Sequence, residues 1–148
     1  MREGRRGFKR QDRETERSHK DRLLLFVNGT LMRGLALHAN LDGAMFPEEA
    51  RTAPTYRLHS IGDRHPGMFS VQIGGVSVLG ELYLLSDEVL ERVLAGEPPG
   101  LYVGSVELAD GRLVPGVLID PARLRATDDD ISAHGGWRAY IDHGTQKP

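Results

Sequence analysis

Apolar positions gather first at residues 23–27, where Leu-Leu-Leu-Phe-Val runs without a polar break into Asn28-Gly29. A run with no polar alternate predicts a strand covered on both faces and closed by a turn. Between residues 30 and 45, Leu31, Leu35, Leu37, Leu41 and Ala44 keep near-helical spacing. Gly34 and Gly43 interrupt it, so a loop and then a short helix around 37–41 are expected. Tyr56, Leu58 and Ser60 alternate with Arg57 and His59, which is a strand pattern. Residues 62–68 carry Gly-Asp and His-Pro-Gly, the chemistry of a loop. Residues 69–73 and 76–84 are β-rich and joined by Gly74-Gly75, which predicts a hairpin. Ser86 is a good N-cap, with Asp87 and Glu88 in the first turn. Val89, Leu90, Val93 and Leu94 then share one helical face, until Gly96 and Pro98-Pro99 stop the helix. Strands over 101–108 and 113–119 flank Asp110-Gly111, a second hairpin turn. Residues 131–141 read as a short helical or irregular segment around Trp137, most simply a plug that closes the core. The sum is an α+β domain with a mixed, barrel-like sheet and few short helices.

The chain has 148 residues, which suits one domain and a core that needs no staples. Its boundaries are read as a tail over 1–22, a domain over 23–143 and a short tail over 144–148. No cysteine is present, which excludes disulfides, thiolate zinc sites and a cysteine nucleophile. The net charge of -2 is unevenly spread: residues 1–22 hold nine Lys/Arg against five acids, so the rest carries the negative excess. Such a basic stretch can contact nucleic acid, but low hydrophobicity and high charge point first to a solvated, disordered extension. It has no apolar centre, so it is no signal peptide, and residues 23–27 are too few to span a bilayer. A cytoplasmic protein without membrane or nucleic-acid partners is expected.

The octet Val-Asn-Gly-Thr-Leu-Met-Arg-Gly (27–34) delivers a glycine turn from a buried strand. Backbone N–H groups at Gly29, Thr30 and Leu31 can converge there on an anion. An ordinary strand-to-helix turn is the plainer alternative, and the glycine spacing is not that of a P-loop. The octet resembles the Tyr-Gly-Ser/Thr-Leu-x-x-Gly signature of γ-glutamylcyclotransferase-like domains. Tyr56-Arg57-Leu58, Gly62, His65-Pro66-Gly67-Met68, Val78-Leu79-Gly80-Glu81-Leu82-Tyr83 and Tyr102 follow in that family's order. A narrower resemblance is to the C-terminal domain of allophanate hydrolases. It rests on residues 52–58, on 104–112, and above all on Asp130-Ile131-Ser132-Ala133-His134-Gly135-Gly136-Trp137-Arg138-Ala139-Tyr140. In those enzymes this domain follows an amidase domain with a Ser/Ser/Lys centre. The resemblance gives it either a later step on the carbamate-like product or an architectural role.

The resemblance implies a loop that holds the substrate carboxylate and a glutamate just beyond the helix that follows Gly80-Glu81-Leu82-Tyr83. An ungapped count reaches Glu97, in Ala-Gly-Glu-Pro-Pro-Gly (95–100). A glutamate in a partly apolar pocket can be tuned as a general base, and a solvated loop glutamate is the competing reading. Glu81 is the alternative carboxylate; alternation puts it beside Leu79 and Tyr83, either lining a pocket or on a wet face. Asn28 stands where the family has Tyr, which removes an aromatic wall and predicts a ligand other than a γ-glutamyl peptide. The expected substrate-binding set is Asn28, Gly29, Thr30, Leu31, His65 and Tyr102. Histidines 19, 38, 59, 65, 134 and 143 show no metal-binding spacing, and no metal or cofactor is expected. Asp128-Asp129-Asp130 reads as a turn, since EF-hand spacing is missing. Two functions remain open. One is an enzyme acting on a small carboxylated amine, amide or carbamate, from allophanate or urea-type nitrogen metabolism or by γ-glutamyl-amine cyclisation. The other is a non-catalytic module that assembles with an amidase subunit; a homodimer is compatible with either.

Overall fold

A computed structural model describes residues 23–145. The basic stretch 1–22 and most of the short C-terminal tail therefore lie outside the described residues. Seven strands are present among the described residues: β1 (Leu23–Val27), β2 (Met45–Arg51), β3 (Tyr56–Ile61), β4 (His65–Ser70), β5 (Leu79–Leu85), β6 (Leu101–Glu107) and β7 (Leu113–Ile119). Helices span Asp87–Gly96 and Trp137–Thr145, with 3-10 turns at His38–Leu41, Pro121–Arg123 and Ser132–His134.

The main sheet has the order β2-β5-β1-β7-β6, and β3-β4 form a separate two-stranded ribbon. β1 lies at the centre, antiparallel to β5 and parallel to β7. Its unbroken apolar run follows from that position: Leu25, Phe26 and Val27 are fully buried. The sheet curls until its outer strands meet at one end. There Thr52 bridges Leu108, Ala53 N–H donates to the Glu107 carbonyl (2.9 Å) and Ala109 N–H to that of Arg51 (2.8 Å). The barrel-like expectation thus takes the form of a sheet joined edge to edge by one bridge.

Two sequence expectations are corrected. Gly74-Gly75 does not turn a hairpin: β4 pairs with β3, and β5 pairs with β1 and β2. The loop expected over 62–68 is mostly strand, because His65, Pro66, Gly67 and Met68 pair with Ile61, Ser60, His59 and Leu58. Other elements follow their local chemistry. Ser86 caps the first helix by accepting from Val89 N–H (3.3 Å). Val89 and Val93 are buried on its inner face. Trp137 is buried at the start of the last helix, in contact with the core.

The 128–132 segment holds β3 in place. Ile131 N–H donates to the Leu58 carbonyl (2.8 Å), and Leu58 N–H donates to Ser132 Oγ (2.8 Å). Asp128 accepts from the N–H groups of Gly62 (3.1 Å) and Arg125 (2.9 Å), which makes it a turn residue. Among the described residues no His/Asp/Glu group is arranged to hold a metal. None of their helices is long and apolar enough to cross a membrane.

Candidate active site

The parallel pair β1/β7 leaves a crevice beyond the C-terminal end of β1, and the chain turns there. The hollow is lined by Asn28, Gly29, Thr30, Leu31, His65, Pro66, Glu97, Leu101 and Val117, among others. Sequence reasoning named six of these: Asn28, Gly29, Thr30, Leu31, His65 and Glu97. Tyr102 is not among them; it lies next door, in a wider cleft with Gly100, Leu101, Asp120, Pro121 and Arg123.

The turn's carbonyls are committed. Gly29 O accepts from Met32 N–H (3.0 Å) and Thr30 O from Leu37 N–H (2.8 Å). Leu31 O lies 2.9 Å from His38 Nδ1, which must therefore carry the proton. Its amides are not committed: no hydrogen bond among the described residues uses the N–H of Gly29, Thr30 or Leu31. A turn with its carbonyls tied back and its N–H groups unspent suits an anion. Glycine is required at 29, where a Cβ would sit 2.6 Å from Pro66 Cδ. Asn28 is buried and donates through Nδ2 to the Val117 carbonyl (3.3 Å) and Met68 Sδ (3.4 Å). Its amide thus fastens the turn to β7 and β4.

Glu97 terminates the first helix, and its backbone N–H donates to the Leu94 carbonyl (3.4 Å). Its side chain turns inward. Among the described residues, Oε2 is the one buried side-chain oxygen or nitrogen without a hydrogen-bond partner. Burial alone pushes the carboxyl up to about 7, because nothing compensates the lost hydration of the anion. Such a group can hold or release a proton near neutrality. The hollow is narrow, with a free volume of about 10 Å³, room for roughly one water molecule.

Glu81 has the opposite surroundings. Its side chain is 3% exposed, so the wet-face reading of the alternation is wrong. Oε1 accepts from Arg33 N–H (2.9 Å) and the Tyr83 hydroxyl (2.8 Å). Oε2 accepts from Arg33 Nε (3.2 Å) and Arg138 (3.3 Å). Burial opposes ionisation, but these donors outweigh it and hold the carboxyl below its ordinary value. Burial, together with the same anion, raises the Tyr83 phenol. Glu81 borders a different cleft, with Arg51, His134 and Arg138. No local pattern marks Arg33 and Arg138 as its partners, because they lie 48 and 57 positions away.

A curled mixed sheet with two short helices is the γ-glutamylcyclotransferase-like α+β fold, which solved structures share. Residues 23–142 match the family described as allophanate hydrolase C-terminal domain, and the chain belongs to that family. It is 45% identical to a uropathogenic E. coli-specific protein of known structure (TM-score 0.77), over 82% of this chain and 97% of that one. It is 28% identical to the Kluyveromyces lactis allophanate hydrolase (TM-score 0.76), covering 82% of this chain and 21% of that one. It is also 29% identical over 126 residues to the urea amidolyase of Saccharomyces cerevisiae, covering 80% of this chain. The chain spans only 7% of the length of the curated urea amidolyases it matches.

Proposed function

We propose that this domain is an enzyme acting on a small carboxylated amine, amide or carbamate. In this reading Glu97 is the general base, and the N–H groups of Gly29, Thr30 and Leu31 hold the substrate carboxylate. The observation that carries it is Glu97 Oε2, buried without a partner in a hollow whose wall offers uncommitted amides. Ionised Glu97 takes a proton from the substrate nitrogen. In a cyclisation that nitrogen bonds the side-chain carbonyl carbon, the old carbon–nitrogen bond breaks, and the departing amine leaves with the proton. His65, at the rim, contributes a ring that can donate to the substrate. The names of the relatives, an allophanate hydrolase and urea amidolyases, support a carbamate-type substrate of urea nitrogen metabolism over a γ-glutamyl amine. A hollow with room for about one water admits a substrate carboxylate only when the segment after the first helix moves aside.

A second reading is an architectural module that assembles with an amidase subunit. The narrowness of the hollow favours it, as does this domain's 21% share of the yeast allophanate hydrolase. Both readings meet one experiment: the purified chain is incubated with allophanate-pathway intermediates and with γ-glutamyl amino acids, and product is followed against pH. The enzyme reading expects turnover that rises through about pH 7 as Glu97 ionises, and a loss of about 100-fold or more in Glu97→Gln. Equal product yield from the variant removes Glu97 from the mechanism. No turnover of any substrate, with a stable complex on mixing with an amidase, establishes the architectural reading.

A further inference from the structure

The hollow beside the glycine turn would take one end of a ligand once it widens, and an adjoining cleft is placed to take the other. Leu101 lines both. The second cleft is about 430 Å³ and carries Tyr102, Asp120 and Arg123. Tyr102 is 49% exposed, an unusual outlay of aromatic surface in a chain with so few aromatic residues. The Arg123 guanidinium enters no hydrogen bond or ion pair among the described residues. It lies along the backbone that joins Glu97 to β6: a Cβ built on Gly100 would meet Arg123 Cδ at 3.2 Å and Nε and Nη1 at 3.9 Å. Gly100 has φ +93°, so glycine is favoured there twice over, by backbone conformation and by the arginine laid across it. Asp120 does not neutralise this cation. Its carboxylate caps the Pro121–Arg123 turn by accepting from Ala122 N–H (3.0 Å) and makes no ion pair with Arg123.

We infer that Arg123 and Tyr102 form a second subsite for a carboxylate at the far end of the ligand. The preferred ligand is then a dicarboxylate reaching from the glycine turn, past Leu101, to Arg123. The guanidinium fork matches a planar carboxylate in a way that a point charge does not. The inference rests on the anion role proposed for the turn, but not on catalysis by Glu97.

The test is equilibrium binding to the full chain by titration calorimetry. Linear dicarboxylates from succinate to adipate are compared with monocarboxylates of equal carbon number. At one chain length the dicarboxylate should bind about tenfold more tightly than its monocarboxylate, the effect of one charge-assisted pair. Arg123→Ala should abolish that advantage and leave monocarboxylate affinity unchanged; Arg123 is exposed, so the fold should survive, as a melting curve checks. Monocarboxylate binding with no dicarboxylate advantage at any length overturns the subsite alone. An advantage that persists in Arg123→Ala also overturns it. Failure of every carboxylate to bind overturns the turn's anion role and this inference together.

Discussion

Glu81 and Glu97 lie on consecutive elements, and both have carboxyl oxygens withdrawn from water, yet their surroundings push them in opposite directions. Glu81 collects donors from Arg33, Tyr83 and Arg138, and is held ionised. Glu97 has an oxygen with no donor at all, and burial favours its protonated form. A buried carboxylate with a full set of donors is a structural tie; one without donors is a proton acceptor in waiting. The first ties the 31–34 loop to the last helix, since Arg138 also donates to the Arg33 carbonyl (2.8 Å). The second lines the same hollow as Gly29, Thr30 and Leu31, the turn that leads into that loop. Glu81 thus steadies the segment that follows the glycine turn, whatever Glu97 does in the hollow.

The sharpest way to break this contrast is to delete each side chain and measure stability. Glu81→Ala strands Arg33 N–H and the Tyr83 hydroxyl in the interior and frees two arginines. It should lower the unfolding free energy by about 3 kcal/mol, the low end for breaking a buried ion pair because both arginines reach solvent. Glu97→Ala removes a carboxyl whose charge nothing compensates, so near neutral pH it should not lower the unfolding free energy and should raise it. Urea midpoints at constant m-value report both. Equal losses would show that the two carboxylates do the same structural work.

Gly29→Ala comes next. Its Cβ would fall 2.6 and 2.7 Å from Pro66 Cδ and Cγ, and Pro66 sits in β4 with no freedom to withdraw. Overpacking of this kind costs about 2 kcal/mol. The same methyl group narrows the hollow, so carboxylate affinity should fall along with stability. Full affinity in a destabilised variant would place the anion elsewhere.

The contrast between the two glutamates also marks how far a sequence speaks. The turn of Gly29, Thr30 and Leu31 was expected from a local pattern, a buried strand running into a glycine; Glu97 was reached only through the resemblance, by counting past the helix, and what the structure adds is that all four line one hollow. β1, the Ser86 cap and the Asp110-Gly111 turn were legible from local patterns as well. β2 was not: Pro47, Glu48 and Glu49 are exposed on an outer strand, where no alternation is enforced. β4 was hidden by His65-Pro66-Gly67, which has the composition of a loop. It is a strand because Pro66, Gly67 and Met68 are buried against the rest of the domain. Gly74-Gly75 misled for the converse reason: the pair has hairpin chemistry, but β5 finds better partners in β1 and β2. Glu81 was ambiguous because its face is decided by cations far away in the chain.

A pH series separates the glutamates by sign. For Glu81 the folded carboxyl is lowered, so its contribution to stability is complete above the unfolded value of about 4.3 and is lost as pH falls through the folded value. Asp130, held at about 2 by Ser132 and Arg57 against the cost of burial, acts in the same direction. For Glu97 the folded carboxyl is raised to about 7, so between about pH 4.3 and 7 the native state holds more proton than the unfolded chain. Stability attributable to Glu97 therefore declines as pH rises through that window and levels off above it. Urea midpoints at about pH 4.5, 5.5, 6.5 and 7.5, taken as the difference between the wild type and Glu97→Gln, isolate this slope from the histidines, which both proteins share. The difference should fall steadily from the first pH to the third and flatten at the last. A difference that does not change with pH would mean that Glu97 ionises as an ordinary surface carboxylate, and the distinction between the two glutamates would then be one of packing alone.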